Sequence, residues 1–150
     1  MKSSSIFVTG GAGYCGSRLV PQLLAKGHKV TVYDILYFGS NFLPLGDPNL
    51  QVIKGDIRDT KKLAAACSKH DAFVSLACIS NDASFELDEK LSTSVNLDAF
   101  EPMVIAAKEA GIKRFVYASS SSVYGVSDQP DVTEDHPLIP LTLYNKYKGP

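Results

Sequence analysis

Short apolar runs recur along the chain. They are Ile6-Phe7-Val8, Val30-Thr31-Val32-Tyr33, Leu50-Gln51-Val52-Ile53, Ala72-Phe73-Val74-Ser75-Leu76 and Phe115-Val116-Tyr117-Ala118. The runs are mostly continuous rather than alternating, and rich in β-branched and aromatic residues. Strands buried on both faces read this way. Helical spacings lie between several of them. Leu19, Val20, Leu23 and Leu24 form one stripe, with Gly27 placed to stop it. Leu63 and Cys67 form a second behind Asp59-Thr60, an N-cap signal. Val95, Ala99, Met103, Ala106 and Ala110 form a third that ends at Gly111. Pro102 lies inside this stripe and should kink it or cost it a hydrogen bond.

Strand and helix alternate, so the chain is expected to build right-handed βαβ units. The predicted fold is α/β: a doubly wound, Rossmann-type parallel sheet with helices on both faces. Gly39 to Asn49 reads mostly as loop. So does Gly125 to Leu143, which holds Pro130, Pro137 and Pro140 among Asp128, Asp131, Glu134 and Asp135. Loops of that length in compact domains are often functional.

Composition narrows the class without changing this picture. The 150 residues are 45% hydrophobic and 21% charged, which excludes disordered, collagen-like and disulfide-scaffold chains. Fifteen Lys and Arg against sixteen Asp and Glu give a net charge of −1, with no electrostatic footprint for nucleic acid or a membrane surface. Size scaling predicts about 7,400 Å² of exposed surface, out of about 23,000 Å² unfolded, for a single compact domain. Cys15, Cys67 and Cys78 make no CxxC and no metal-ligand spacing, and are expected to be buried free thiols in a reducing compartment. His28, His70 and His136 read as loop or strand-entrance residues, with no metal spacing. Met1-Lys2-Ser3-Ser4-Ser5 leads straight into the first run without the apolar region of a signal peptide. No apolar run reaches the roughly 20 residues of a membrane span. The expected location is the cytoplasm.

The first run leads into Thr9-Gly10-Gly11-Ala12-Gly13-Tyr14-Cys15-Gly16 and then into the first helical stripe. Gly10, Gly13 and Gly16 follow a GxxGxxG spacing, and Gly11, Gly13 and Gly16 a GxGxxG one. Such glycines permit a tight turn, a close backbone approach to a pyrophosphate and close helix–strand packing. The helix start then offers free N–H groups and a positive dipole to phosphates. Asp34 ends the next strand and is placed to accept hydrogen bonds from a ribose diol. Its charge would repel a 2′-phosphate, and no Arg or Lys follows closely, so NAD is favoured over NADP. Asp56, in Lys54-Gly55-Asp56-Ile57-Arg58-Asp59, is expected either to reach an adenine amine or to cap the following helix.

The fifth run ends in Ala118-Ser119-Ser120-Ser121-Ser122-Val123-Tyr124-Gly125, and Tyr144-Asn145-Lys146-Tyr147-Lys148 follows later. Tyr144 and Lys148 are four apart, on one face of a predicted helix. A free phenol, with a pKa of about 10, is too weak a base at neutral pH. A lysine ammonium and a positive nicotinamide beside it would favour the phenolate. A serine hydroxyl can hydrogen-bond the same substrate oxygen. A base, an orienting group and a hydride acceptor would then converge on one secondary alcohol.

Together these stretches, with Leu76-Ala77-Cys78 and Asn96, resemble the N-terminal part of the extended short-chain dehydrogenase/reductase family, of the NAD-dependent epimerase/dehydratase type. The resemblance implies that Tyr14 and Cys15 offer backbone N–H groups to the pyrophosphate. It places Leu76, Ala77 and Cys78 along the adenosine and pyrophosphate path, beside Ile57 and Ala118, and brings Asn96 to the cofactor. It assigns Ser120, three residues before the Val of Val123-Tyr124-Gly125, as the catalytic serine and Tyr144 as the base. Lys148 would hold the nicotinamide ribose and tune Tyr144, leaving Ser119 and Ser121 structural or auxiliary. It further implies a nucleotide-sugar substrate and, for the full-length protein, a homodimer.

Two departures from the family pattern inform the reading. Dehydratases of this type carry Asp-Glu after the catalytic Ser/Thr, whereas Ser121 and Ser122 stand here, with no acid to protonate a leaving hydroxyl. Epimerisation, by oxidation and re-reduction, is therefore expected over dehydration. A simple alcohol/ketone oxidoreductase and a non-catalytic dinucleotide-binding module are the alternatives. In Cys78-Ile79-Ser80-Asn81-Asp82, Asn81 and Asp82 read as substrate-side polar groups, or otherwise as a helix cap. The motifs also recast the length. Lys148-Gly149-Pro150 would cut the catalytic helix short. In the strand order 3-2-1-4-5-6 the fifth strand would be an open edge. The chain is thus expected to be one NAD-binding domain, 1–150, truncated just after the YxxxK motif. The C-terminal strands and substrate domain would be missing and the piece inactive alone.

Overall fold

The computed structural model describes residues 3–129 and 131–149. Met1 and Lys2 of the N-terminal segment, Pro130 of the proline-rich loop, and Pro150 lie outside them. Five parallel strands form one sheet in the order β3-β2-β1-β4-β5. They are β1 (Ser5–Thr9), β2 (Lys29–Asp34), β3 (Leu50–Lys54), β4 (Ala72–Ser75) and β5 (Arg114–Tyr117). All five apolar runs are strands.

Register explains why the runs are continuous. Ile6 and Val8 stand beside Val30 and Val32, and pack with Val20 and Leu24 of α1 (Tyr14–Ala25) on one face. Phe7, beside Phe73, points the other way. There it joins Leu63 and Cys67 of α2 (Thr60–Cys67) and Met103, Ala106 and Ala107 of α5 (Phe100–Glu109). Successive side chains enter two different cores, so Ile6 to Thr9 of β1 are all buried.

The helix signals have physical counterparts. Asp59 caps α2 by accepting from the Lys62 N–H at 3.1 Å. Gly27 and Gly111 take positive φ where α1 and α5 end. The disturbance expected at Pro102 is a π-helical turn, Ser94–Asp98, just ahead of α5. It ends at Asp98, whose carbonyl a proline ring four residues on would strike in a regular helix. Two short helices, α3 (Asp82–Glu86) and α4 (Glu89–Thr93), precede that turn and carry no apolar stripe long enough to announce them. A short α6 (Leu143–Lys148) follows the proline-rich loop.

Two expectations need correction. The exposed surface is 9,369 Å², above the roughly 7,400 Å² of a compact domain this size. Part of the excess is apolar loop surface, with Tyr37, Phe38, Phe42 and Val126 all more than three-quarters exposed. The cysteines are free, but only Cys67 is buried; Cys15 is exposed on the first turn of α1 and Cys78 is half-buried.

Candidate active site

The strand order reverses beside β1. The chain runs outward from β1 to β3, then crosses back to β4 on the other side. The carboxyl ends of β1 and β4 therefore border the crevice where open α/β sheets bind ligands. Gly10 lies there with φ +69°, and a Cβ on it would sit 2.6 Å from the Ala77 backbone nitrogen after β4. Only a residue without a side chain allows that turn and that approach together. A Cβ on Gly16 would sit 2.2 Å from the Gly11 carbonyl oxygen, so the helix and loop close onto each other. Gly13 is the N-cap of α1 and supplies no side-chain cap. The first N–H groups of α1, from Tyr14 and Cys15 onward, thus face an open cradle. The Tyr14 side chain points into solvent.

Asp34 stands at the end of β2 and ties this loop down. Its Oδ2 accepts from the Ala12 N–H at 3.0 Å and its Oδ1 from the Leu36 N–H at 2.8 Å. Each carboxylate oxygen keeps lone pairs for further donors such as ribose hydroxyls. Asp56 does not cap α2, since Asp59 does. It pairs instead with Arg58, whose Nε donates to Oδ1 at 3.0 Å and whose Nη2 reaches Oδ2 at 2.5 Å. These bonds hold the Asp56 carboxyl below the usual carboxylate range, against the upward push of desolvation. Arg58 also donates to Ser94 Oγ at 3.1 Å, which fixes the pair against the π turn. Ile57 is a core side chain, so only its backbone faces outward chemistry. Beneath them Tyr33 is fully buried and its hydroxyl donates to the Asp56 carbonyl at 3.1 Å. Burial, then Asp59 and Asp56, pushes that phenol up.

Asn96 is buried in the π turn and both of its amide atoms are engaged. Its Oδ1 accepts from the Ile79 N–H and its Nδ2 donates to the Ile79 carbonyl, both at 2.9 Å. It therefore grips the backbone just after Leu76, Ala77 and Cys78 rather than pointing a free amide into the crevice. Asn81 and Asp82 also have partners inside the protein. Asn81, at φ +67°, caps α3 by accepting from the Ser84 N–H at 2.9 Å. Asp82 Oδ1 accepts from the Thr142 hydroxyl. The structure shows the cap for Asn81 and a hydroxyl partner for Asp82.

At the catalytic end, α6 is anchored to β5 by its lysine. Lys148 is 4% exposed and its Nζ donates to the Ala118 carbonyl at 3.0 Å. Nζ also lies 5.0 Å from the centre of the Tyr117 ring, a cation–π distance. Ser119 Oγ donates to the Lys148 carbonyl at 2.7 Å, the auxiliary role expected of it. Burial pushes the Tyr117 phenol up while Lys148 pulls it down. Ser120 caps the 3₁₀ turn Ser121–Tyr124 and shares a 2.7 Å hydrogen bond with Ser122 Oγ. Tyr144 is half-buried and packs on Phe85, with 6.5 Å between ring centres. Among the described residues Ser120 and Tyr144 do not hydrogen-bond each other, and Ser120 keeps its proton for a third group when Ser122 donates their shared bond. Tyr117, which lies under Lys148, and Thr142, the N-cap of α6, were not singled out in the sequence. A threonine just ahead of the Tyr144 stripe is a legible cap signal, but nothing local marks Tyr117.

The model of the NAD dependent epimerase/dehydratase family matches residues 6–148. The chain belongs to this family. It is 33% identical over 151 aligned residues to the UDP-glucose 4-epimerase of Rhizobium meliloti (strain 1021), covering 99% of this chain and 45% of that protein. The UDP-N-acetylglucosamine 4-epimerase of Methanobrevibacter ruminantium M1, solved with UDP-N-acetylmuramic acid, superposes with a TM-score of 0.90 at 31% identity. That match covers 99% of this chain and 48% of the other. DesIV, the dTDP-glucose 4,6-dehydratase of Streptomyces venezuelae, solved with NAD and TYD bound, gives a TM-score of 0.87 at 34% identity. It covers 96% of this chain and 48% of that one. The chain thus spans about half the length of the relatives it matches. The family is NAD-dependent, and the glycine cradle, uncapped helix start and Asp34 fit that cofactor. Among the described residues no helix is long and apolar enough to cross a membrane.

Proposed function

We propose that the chain is the cofactor-binding half of an NAD-dependent nucleotide-sugar epimerase. The observation that carries this is the anchoring of Lys148 to Ala118. It brings the helix of Tyr144 against the strand end that bears Ser120. The cradle formed by Gly10, Gly13, Gly16 and the first N–H groups of α1 would hold the pyrophosphate of NAD, and Asp34 the adenosine ribose. Bound NAD supplies an acceptor and donor of hydride. Tyr144 Oη takes the proton of a sugar hydroxyl, and Ser120 Oγ donates a hydrogen bond to the same oxygen. Lys148 has two N–H protons beyond its bond to Ala118, enough to hold a ribose hydroxyl and keep positive charge near Tyr144. Ser121 and Ser122 stand where a dehydratase needs an acid, which supports epimerisation over elimination. The matches to two sugar-nucleotide epimerases support the same class of substrate.

Because the relatives are about twice as long, we propose that specificity and dimerisation depend on further sequence and that these 150 residues bind NAD without turnover. The test is Tyr144→Phe in the complete enzyme, assayed with UDP-sugars. The expected result is a loss of at least about 10²-fold in kcat, with NAD retained on the protein. Wild-type turnover in that variant would remove Tyr144 from its role. NADH released in proportion to product would mark a simple oxidoreductase.

A further inference from the structure

We propose that Asp82, acting through Thr142, is a positioning residue for the helix that carries Tyr144 and Lys148. The role given to the helix rests on the reading of Tyr144 and Lys148 above. The clasp itself does not.

Helix α6 has six residues, Leu143–Lys148. A helix that short does not hold itself together in water, so its start and phase must be imposed from outside. Among the described residues, one backbone bond ties the loop leading into it to an earlier element, from the Ile139 N–H to the Val123 carbonyl at 3.0 Å. Thr142 supplies what the loop does not. Its Oγ1 accepts from the Asn145 N–H at 3.2 Å, and its single proton goes to Asp82 Oδ1. One hydroxyl therefore caps α6 and ties the cap to a residue 60 positions earlier. The acceptor is a carboxylate, and such bonds are about twice as strong as neutral ones.

Asp82 is itself fixed. Asn81 caps α3, Phe85 is 1% exposed, and the Phe85 carbonyl accepts from the buried Ser92 Oγ at 3.0 Å. The Phe85 ring also lies 6.5 Å from Tyr144 and 5.6 Å from Tyr147. Tyr144 is two residues past the cap, so a change in where α6 begins rotates the phenol directly. Asp82, Thr142 and Tyr144 border one cavity of about 250 Å³. The clasp thus forms part of the wall beside the proposed base.

The test compares Thr142→Val and Asp82→Leu, which remove the bond, with Thr142→Ser and Asp82→Asn, which keep a hydroxyl and an acceptor. Amide exchange of Asn145 and Lys146 is read by NMR in this chain, with amides of β1 as the internal measure of intact fold. NAD affinity is read alongside. Val removes the cap and Leu frees the capping threonine from α3, so both should exchange at least about tenfold faster at both α6 amides as the helix opens locally, with β1 unchanged. Ser and Asn should stay within about threefold of wild type, and the Val/Leu double variant should be no worse than either single one. NAD affinity should fall in Val and Leu and recover in Ser and Asn. Unchanged α6 exchange in Val and Leu, or additive effects in the double variant, would overturn the clasp. Faster exchange with undiminished NAD affinity would overturn the positioning role. Lys148→Met separates the two readings: if it too leaves NAD affinity intact, the role given to Lys148 is what failed.

Discussion

The two ends of the site are built by different physics. The cradle end, from β1 through α1 to β2, is shaped by exclusion. Gly10 and Gly16 sit where a single added carbon would meet backbone atoms at 2.6 Å and 2.2 Å, and the strands behind them are closed on both faces. The other end, from β5 to α6, is shaped by attachment. A lysine, a serine and a threonine reach across 29 to 60 residues to hold a short helix in place. Its strand pairs on one side with β4, and its Val116 is half-open to solvent. The first region tolerates no added volume, and the second depends on individual hydrogen bonds.

The sharpest way to break this comparison is to add the same methyl group at both ends. Gly10 and Gly125 have nearly equal positive φ, +69° and +68°, and in both a Cβ would strike a backbone atom. Gly125, at ψ −143°, lies in a backbone region that is essentially glycine's alone, which costs an alanine about 1–3 kcal/mol before any clash. At Gly10 the obstacle is the backbone after β4, which the sheet holds. At Gly125 it is the Ile139 carbonyl oxygen, 2.2 Å from the added carbon, in the proline-rich loop. Gly10→Ala and Gly125→Ala should therefore each cost about 3 kcal/mol or more, but only Gly10→Ala should abolish NAD binding. Urea denaturation measures both. A much smaller loss at Gly125 would mean that the loop at Ile139 gives way where the sheet does not.

That contrast also explains what could be read from the chain. The cradle was legible because its determinants are contiguous: a strand, a glycine pattern, a helix and a terminal Asp within 34 residues. Strand order, N-caps and the Tyr144–Lys148 spacing are likewise local or periodic signals. The pairings Asp56–Arg58, Asn96–Ile79 and Asp82–Thr142 were not legible. Asn96 and Asp82 lie far in sequence from their partners, and a polar side chain in a loop does not announce what it will meet. Asn96 and Asp82 read as polar groups near the site, and nothing local announced the backbone and the helix cap that they also hold. The cysteines were misjudged because average burial does not foresee an open helix start.

A variant of intermediate size sits at the joint between the two regions. Asn96→Ala strips partners from both the N–H and the carbonyl of Ile79, which is half-buried. Each orphaned group costs about 1–3 kcal/mol, eased where water can enter, so a net loss of about 2 kcal/mol is expected. Asn96→Asp keeps the acceptor for the Ile79 N–H but turns a second acceptor toward the Ile79 carbonyl, so it should recover little. Both are read as shifts in the urea midpoint at constant slope. Full recovery in the Asp variant would show that only the N–H bond matters.

The smallest effect tests whether attachment by charge matters at the cradle end at all. The Asp56 carboxyl is held below its ordinary range, chiefly by the hydrogen bond from Arg58. A carboxyl whose pKa is lower folded than unfolded adds stability that is present above its unfolded value, about 3.9. That stability is lost as pH falls through the folded value. The wild type should therefore exceed Asp56→Asn in stability at pH 6, and the gap should shrink as pH is lowered below 4. Both side chains remain about one-third exposed, at 39% for Arg58 and 30% for Asp56. Solvent screening then keeps the gap under about 1 kcal/mol. A gap that widened toward acid would reverse the sign, and would mean that burial outweighs the arginine. A gap well above that ceiling at pH 6 would show Asp56 holding more than Arg58.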